Sequence, residues 1–151
     1  MREGDLAPEF SLEREDGSIV SLTDELAKGP VVLFFYPRAM TAGCTAESCH
    51  FRDLAKEFAD LGAIRLGISA DPVDRQKAFS AKHGFDYPLL SDPDRKVAAA
   101  YGVKRPGPLF NRRATFVIDT DRRVLAAISS EVNMAKHADE ALRVLARRGL
   151  S

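Results

Sequence analysis

The sequence predicts an α/β chain: a central mixed β-sheet flanked by helices, with an N-terminal extension over residues 1–30. Three observations carry this. Short continuous apolar runs recur at 31–36 (VVLFFY), 63–69 (AIRLGIS) and 114–119 (ATFVID), the pattern of strands buried on both faces. Between them lie longer segments whose apolar residues recur at spacings of three and four, the period of an amphipathic helix. The last apolar run is followed by the turn DTDRR and a further strand-like run, VLAAISS at 124–130. A hairpin at the end of a β-α-β-α order makes the sheet mixed rather than purely parallel.

The elements follow in order. After the strand at 31–36, a helix is expected from about Ala42 to Leu61, with Phe51, Leu54, Ala55, Phe58 and Leu61 on one face and Gly62 as its stop. The strand at 63–69 leads to a helix that opens after Asp71 with Pro72 at its first position and ends near Gly84. PLL at 88–90 is a short extended piece. SDPDRKVAAAYG then reads as a helix capped by Ser91 or Asp92 and terminated at Gly102. The last helix runs from about Met134 to Arg148, with Ala138, Ala141, Leu142 and Leu145 on one face. Arg143, Arg147 and Arg148 suit the negative end of its dipole and read as a solvated helix end. This order is that of a thioredoxin-like fold, taken as one domain over residues 1–151.

The bulk numbers set the functional class. A chain of 151 residues that is 45% apolar and 29% charged can build one real core. Lys+Arg and Asp+Glu are 22 each, a balance that argues against nucleic acid or an anionic membrane as the main partner. The segment MREGDLAPEFSL has no apolar stretch of the secretory kind, and VVLFFY is too short to span a bilayer. The expected location is the cytoplasm, where thiols stay reduced and a structural disulfide is out of place.

Both cysteines of the chain nevertheless lie in one stretch, PRAMTAGCTAESCH at 37–50. The helix expected to begin near residue 42 starts at the carboxyl end of a central strand, where open α/β sheets bind ligands. With Thr41 as N-cap, its hydroxyl would accept from the N–H of Gly43 or Cys44. Cys44 then occupies the third helical position, where the free N–H groups and the helix dipole favour a negative side chain. A thiol placed this way ionises more readily, and the thiolate is the nucleophile. Taken alone, T-x-x-C more often marks an ordinary cap and a buried small residue. Arg113 alone would more often be a solvated loop residue of KRPGPLFNRR.

The stretch YPRAMTAGCTAESCHFRDL resembles the active-site segment of the peroxiredoxins, in the bacterioferritin-comigratory, or Q-type, branch. The match comprises P-x-x-x-T-x-x-C at Pro37, Thr41 and Cys44, then C-x-x-x-x-C ending at Cys49, then FRD at 51–53. It continues in GDLAPEFSL at 4–12, VVLFFYP at 31–37, LGISAD at 66–71, YPLLSDP at 87–93, AYGV at 100–103 and R-x-TFVID from Arg113 to Asp119. The resemblance implies a thioredoxin-like fold and thiol-dependent reduction of hydrogen peroxide and organic hydroperoxides. Cys44 is then the peroxidatic cysteine, oxidised to a sulfenic acid. Thr41 hydrogen-bonds peroxide and thiolate, Pro37 shields the sulfenic acid, and Arg113 holds the thiolate and polarises the substrate. Cys49 matches the resolving cysteine, which forms an intramolecular disulfide with Cys44 that thioredoxin or a similar thiol reductant reopens. The resemblance calls for no metal or organic cofactor and fits a monomer or weak homodimer.

On an ideal helix, residues five apart have Cα atoms separated by about 8.7 Å, more than the roughly 7 Å a disulfide tolerates. A Cys44–Cys49 bond therefore requires the start of the helix to unwind. Other readings are a peroxidase that uses Cys44 alone, a thioredoxin-like disulfide oxidoreductase, and a copper-binding module. Absence of C-x-x-C disfavours the disulfide oxidoreductase, and the C-x₄-C spacing fits copper poorly. Glu47 is a secondary candidate for orienting an arginine or the backbone. His50, His83 and His137 read as solvated surface histidines, and Cys44, Cys49 and His50 lack zinc-ligand spacing.

Overall fold

A computed structural model describes residues 1–107 and 109–148, so Pro108 in the loop before Arg113 and the last three residues of the expected domain lie outside the described residues. The elements are β1 (Ser11–Arg14), β2 (Ile19–Ser21), α1 (Leu22–Leu26), β3 (Val31–Phe35), α2 (Ala42–Asp53), α3 (Ala55–Asp60), β4 (Ile64–Ser69), α4 (Val73–His83), β5 (Leu89–Ser91), α5 (Lys96–Ala100), β6 (Ala114–Ile118), β7 (Val124–Ser129) and α6 (Met134–Arg148). They build one seven-stranded sheet in the order β2-β1-β5-β4-β3-β6-β7. β3, β4 and β5 are parallel neighbours, whereas β6 joins β3 antiparallel and β7 joins β6 antiparallel. The expected mixed α/β sheet of thioredoxin-like type is therefore present. The N-terminal extension contributes its own strands, with β1 pairing antiparallel to β5.

β3 shows why its sequence is apolar throughout. Successive strand residues point to opposite faces. Val31, Leu33 and Phe35 enter a core with Leu22, Ile68, Tyr101 and Phe116, while Val32 and Phe34 enter a second core with Phe51, Phe58, Phe79 and Leu145. Helices cover both faces, so no position of β3 meets water. Phe34 stacks on Phe51 at 4.1 Å between ring centroids, which seats α2 on the sheet.

Three local expectations need correction. The helix expected over 42–61 is broken at Leu54, whose φ of −95° and ψ of 19° end α2 before α3 begins. Beside the break, Arg65 of β4 donates to the carbonyl of Phe51 at 2.8 Å. A carbonyl at a helix end can be satisfied from outside the helix, and here the donor comes from a strand remote in sequence. Second, α5 is preceded by Arg95 in left-handed backbone (φ 60°) rather than by a cap at Ser91 or Asp92. Asp92 still serves the helix, its carboxylate accepting from the N–H groups of Val97 and Ala98 at 3.3 and 2.9 Å. Third, the end of α6 is not wholly solvated: Arg143 and Arg147 are exposed, but Arg148 donates to Asp119 at 2.7 Å. No helix among the described residues is long and apolar enough to cross a membrane.

Candidate active site

α2 begins where β3 ends, at the carboxyl edge of the sheet. The link between them, residues 36–41, is fixed from β4 and its following turn. Asp71 is buried, and its Oδ2 accepts from the N–H of Ala39 at 2.7 Å and from the hydroxyl of Ser69 at 2.6 Å. Met40 follows with φ of 69°, a left-handed backbone that a non-glycine residue adopts only where its surroundings impose it. Thr41 then takes the N-cap with extended backbone (φ −81°, ψ 156°), and its carbonyl accepts from Thr45 N–H at 2.9 Å.

The expected side-chain cap is not made. The Thr41 hydroxyl instead donates to the carbonyl of Arg38 at 2.8 Å. The reversed link at residues 38–40 brings that carbonyl within reach, and the exposed hydroxyl takes it. The consequence is chemical: the N–H groups of the first turn of α2 stay uncapped by Thr41 and place the positive end of the helix dipole at the turn that carries Cys44.

Cys44 is fully buried at the third helical position, and Arg113 is almost as deeply buried just before β6. The guanidinium spans two partners. Its Nη2 donates to Cys44 Sγ at 3.3 Å, and its Nη1 donates to Glu47 Oε1 at 2.7 Å. Burial works against the charge of Arg113, but Glu47 and Cys44 outweigh it and hold the guanidinium firmly protonated. Burial also pushes the Glu47 carboxyl up to about 7, against the opposing pull of Arg113. The backbone N–H of Arg113 donates to Glu131 Oε1 at 3.0 Å, and Glu131 also pairs with Arg105 at 3.1 Å.

Gly43 lies beside this contact. A Cβ there would stand 3.3 Å from Arg113 Nη2 and 3.6 Å from Met134 Sδ, close enough that the guanidinium would have to give by a few tenths of an ångström. The neighbouring Arg112 is exposed, and its N–H bonds to the carbonyl of Val103 at 2.8 Å. Of the two adjacent arginines, Arg113 is the one turned into the site.

Of the five residues the sequence singles out, the structure joins Cys44 and Arg113 directly and seats Thr41 at the start of the same helix. Pro37 is half-buried at the end of β3. Cys49 lies further along α2, half-buried, and both thiols are free with the helix continuous between them. Glu47 is more than secondary: it is fully buried and bonded to Arg113. Its polarity on an otherwise core-facing side of α2 was the signal.

The expectation for His137 is overturned. It is fully buried, its Nε2 bonded to the Ser130 carbonyl at 2.9 Å and its Nδ1 to the Thr115 hydroxyl at 2.8 Å. It falls on the face of α6 that carries Ala138 and Ala141 inward, and a helix packed on a strand hides whatever lies there. His50 is one-third exposed and tied to Asp139 of α6 at 2.8 Å, and His83 is half-buried, edge-on to Phe79. Among the described residues, no three His, Cys, Asp or Glu side chains are grouped to hold a metal ion.

Comparison with known proteins agrees with this geometry. The model of the AhpC/TSA family matches residues 4–127. A Mycobacterium tuberculosis protein named as a peroxiredoxin is 57% identical over 148 residues, covering 96% of each chain. The crystal structure of the peroxidoxin BcpB from the same organism superposes with a TM-score of 0.95 at 55% identity, covering 97% of both chains. The bacterioferritin comigratory protein of Xanthomonas campestris, described for its alkyl peroxide reduction activity, superposes with a TM-score of 0.85 at 34% identity over 92% of this chain and 91% of that one. With a buried thiol held by an arginine at the mouth of a thioredoxin-like sheet, the chain belongs to the peroxiredoxins of the AhpC/TSA family, in the bacterioferritin-comigratory, or Q-type, branch, and is a thiol peroxidase.

Proposed function

We propose that Cys44 is the peroxidatic nucleophile of a two-cysteine cycle completed within one subunit. The Cys44 thiolate attacks one oxygen of hydrogen peroxide or an organic hydroperoxide. The O–O bond breaks, sulfur is oxidised to a sulfenic acid, and the departing oxide takes a proton to leave as water or an alcohol. Negative charge moves from sulfur to the departing oxygen in this step. Fixed donors aimed at that charge lower the barrier, and the Arg113 fork and the first-turn N–H groups of α2 supply them. Thr41 Oγ1, donating to Arg38, keeps lone pairs free to accept the peroxide hydrogen. Pro37 walls the end of β3 against water.

Cys49 then attacks the sulfenic acid, expelling water and forming the Cys44–Cys49 disulfide. Two electrons from thioredoxin or a similar dithiol reductant restore both thiols. Both steps belong in the cytoplasm, where such reductants keep thiols reduced. The observation that carries the reading is the 3.3 Å contact of the buried Arg113 guanidinium with the buried Cys44 sulfur.

The test is thioredoxin-coupled turnover with hydrogen peroxide and with a bulky organic hydroperoxide. Cys44→Ser should abolish peroxide consumption, since a serine hydroxyl neither ionises nor accepts an oxygen. Cys49→Ser should keep the first oxidation, stop turnover with thioredoxin and accumulate over-oxidised Cys44. Wild-type cycling in Cys49→Ser would move resolution to an external thiol.

A further inference from the structure

His137 is a buried titratable side chain that the cycle above does not use, and its surroundings fix its state. The Ser130 carbonyl can only accept, so Nε2 carries a hydrogen and donates at 2.9 Å. Burial is the main cause holding His137 below its ordinary range, so the ring is neutral and Nδ1 is bare of hydrogen. The Thr115 hydroxyl therefore donates to Nδ1 at 2.8 Å. The same nitrogen faces Oε2 of Glu47 at 3.6 Å, both side chains fully buried. That distance is an electrostatic contact rather than a hydrogen bond. Oε2 has no hydrogen-bond partner, whereas Oε1 is taken by Arg113.

The negative partial charge of an unprotonated imidazole nitrogen 3.6 Å from a carboxyl oxygen opposes ionisation of that carboxyl. The other charged groups near this pair are Arg113 before β6, Cys44 on α2, Glu131 in the turn before α6 and Lys136 on α6. Of the two cations, only Arg113 bonds Glu47, and it also serves Cys44. An ionised Glu47 and a Cys44 thiolate thus compete for one guanidinium.

We propose that His137 is a positioning residue for peroxide reduction: the negative partial charge of its unprotonated Nδ1, facing Oε2, adds to burial in favouring the neutral Glu47 carboxyl, which leaves Oε1 to orient Arg113 and leaves the guanidinium charge to the Cys44 thiolate. This rests on Cys44 being the nucleophile. When Glu47 ionises, Arg113 is shared between two anions and its hold on the thiolate weakens. The rate of thiolate attack on peroxide therefore falls, per thiolate, as Glu47 loses its proton.

The experiment follows the Glu47 carboxyl by carbon NMR against pH in reduced protein, beside the rate of peroxide reaction. In the wild type the carboxyl should titrate near about 7, and the rate per thiolate should bend at the same pH. Thr115→Val keeps the shape and removes the hydroxyl that occupies the Nδ1 lone pair, so the negative potential at Oε2 deepens and the carboxyl inflection should rise by about half a pH unit. His137→Leu removes the lone pair, so the inflection should fall by a similar amount. A role in packing alone would not move the two variants in opposite directions. In Glu47→Gln, which cannot ionise, the bend in the rate should vanish. The proposal is overturned if Thr115→Val leaves the carboxyl inflection unmoved or lowers it, a result that holds even where His137→Leu fails to fold. It is equally overturned if the wild-type rate bend persists in Glu47→Gln. The carboxyl titration is read whether or not peroxide is consumed. Loss of the nucleophile assignment, seen as peroxide reduction surviving Cys44→Ser, is therefore distinguishable from loss of the His137 role.

Discussion

Arg113 can serve Cys44 and Glu47 together because a guanidinium is a planar fork with five N–H donors. A lysine has one ammonium at the end of a flexible stem and cannot place donors on a sulfur at 3.3 Å and a carboxylate at 2.7 Å in fixed directions. Arg113→Lys should keep the fold and slow peroxide reaction by about 10²–10³-fold, the usual loss when one fixed transition-state donor is removed. Arg112→Lys, altering an exposed side chain whose backbone bond remains, should change the rate less than about twofold; stopped-flow kinetics on both variants decides. Glu47 also carries a stability consequence. Its folded carboxyl is raised to about 7, mainly by burial, so the folded state holds a proton that the unfolded chain releases near its ordinary value of about 4.3. The unfolded state binds fewer protons in that window, so the contribution is fully present below about 4.3 and is lost as pH rises through about 7. Urea titrations at acid and alkaline pH should show Glu47→Gln gaining on wild type as pH rises, by up to about 3 kcal/mol.

At the scale of the element, the proposed cycle asks α2 to do two incompatible things: hold Cys44 against Arg113, and release it to Cys49. Its anchors are graded along its length. Phe51 is clamped between Phe34 and Phe58, the Phe51 carbonyl takes Arg65, and Arg52 donates to the His83 carbonyl at 2.7 Å. Upstream of Phe51 the ties are single polar bonds: Arg113 to Cys44 and Glu47, His50 to Asp139, and the buried Tyr87 hydroxyl, which donates to the Ser48 carbonyl at 2.7 Å. Opening should therefore start at the N-terminal turns and stop at Phe51. Hydrogen exchange should show residues 44–49 losing protection on oxidation while 51–53 keep theirs. Unchanged protection at 44–49 in a confirmed intramolecular disulfide would count against unwinding. Tyr87→Phe removes the Ser48 bond, worth about 1 kcal/mol net, and should speed disulfide formation several-fold after peroxide addition. A rate unchanged in quenched-flow alkylation would remove Tyr87 from the gate.

Across the whole molecule, β3 is the shared wall of two cores, and the site stands on its end. Phe34 contacts Phe51 and Tyr87, which hold α2 from below and from the side. Phe34→Ala should cost about 3–5 kcal/mol of stability, the range for emptying a buried aromatic position. It should also loosen Cys44 more than a comparable cut on the other core. A core mutation at Leu33, which faces away from α2, should lower stability without a matching loss in peroxide rate; denaturation and kinetics on the two variants test this.

The order of the central elements, the mixed sheet and the placement of Cys44 at the start of a helix could be read from local pattern, because periodicity, helix stops and motif spacing are properties of neighbours in the chain; Thr41, Cys49, Pro37 and Arg113 entered as candidates through resemblance. Only the tertiary structure decided what depends on residues far apart. It broke the long helix at Leu54, beside a bond from Arg65. It turned the Thr41 hydroxyl to Arg38 and fixed Ala39 through Asp71. It set Gly43 so close to Arg113 that a side chain there would crowd the guanidinium. It took His137, polar and unremarkable in an amphipathic helix, and buried it 3.6 Å from Glu47, against Thr115. The reason is the same in each case: a polar group's role is set by which partner can satisfy it once water is excluded, and folding brings that partner from another part of the chain.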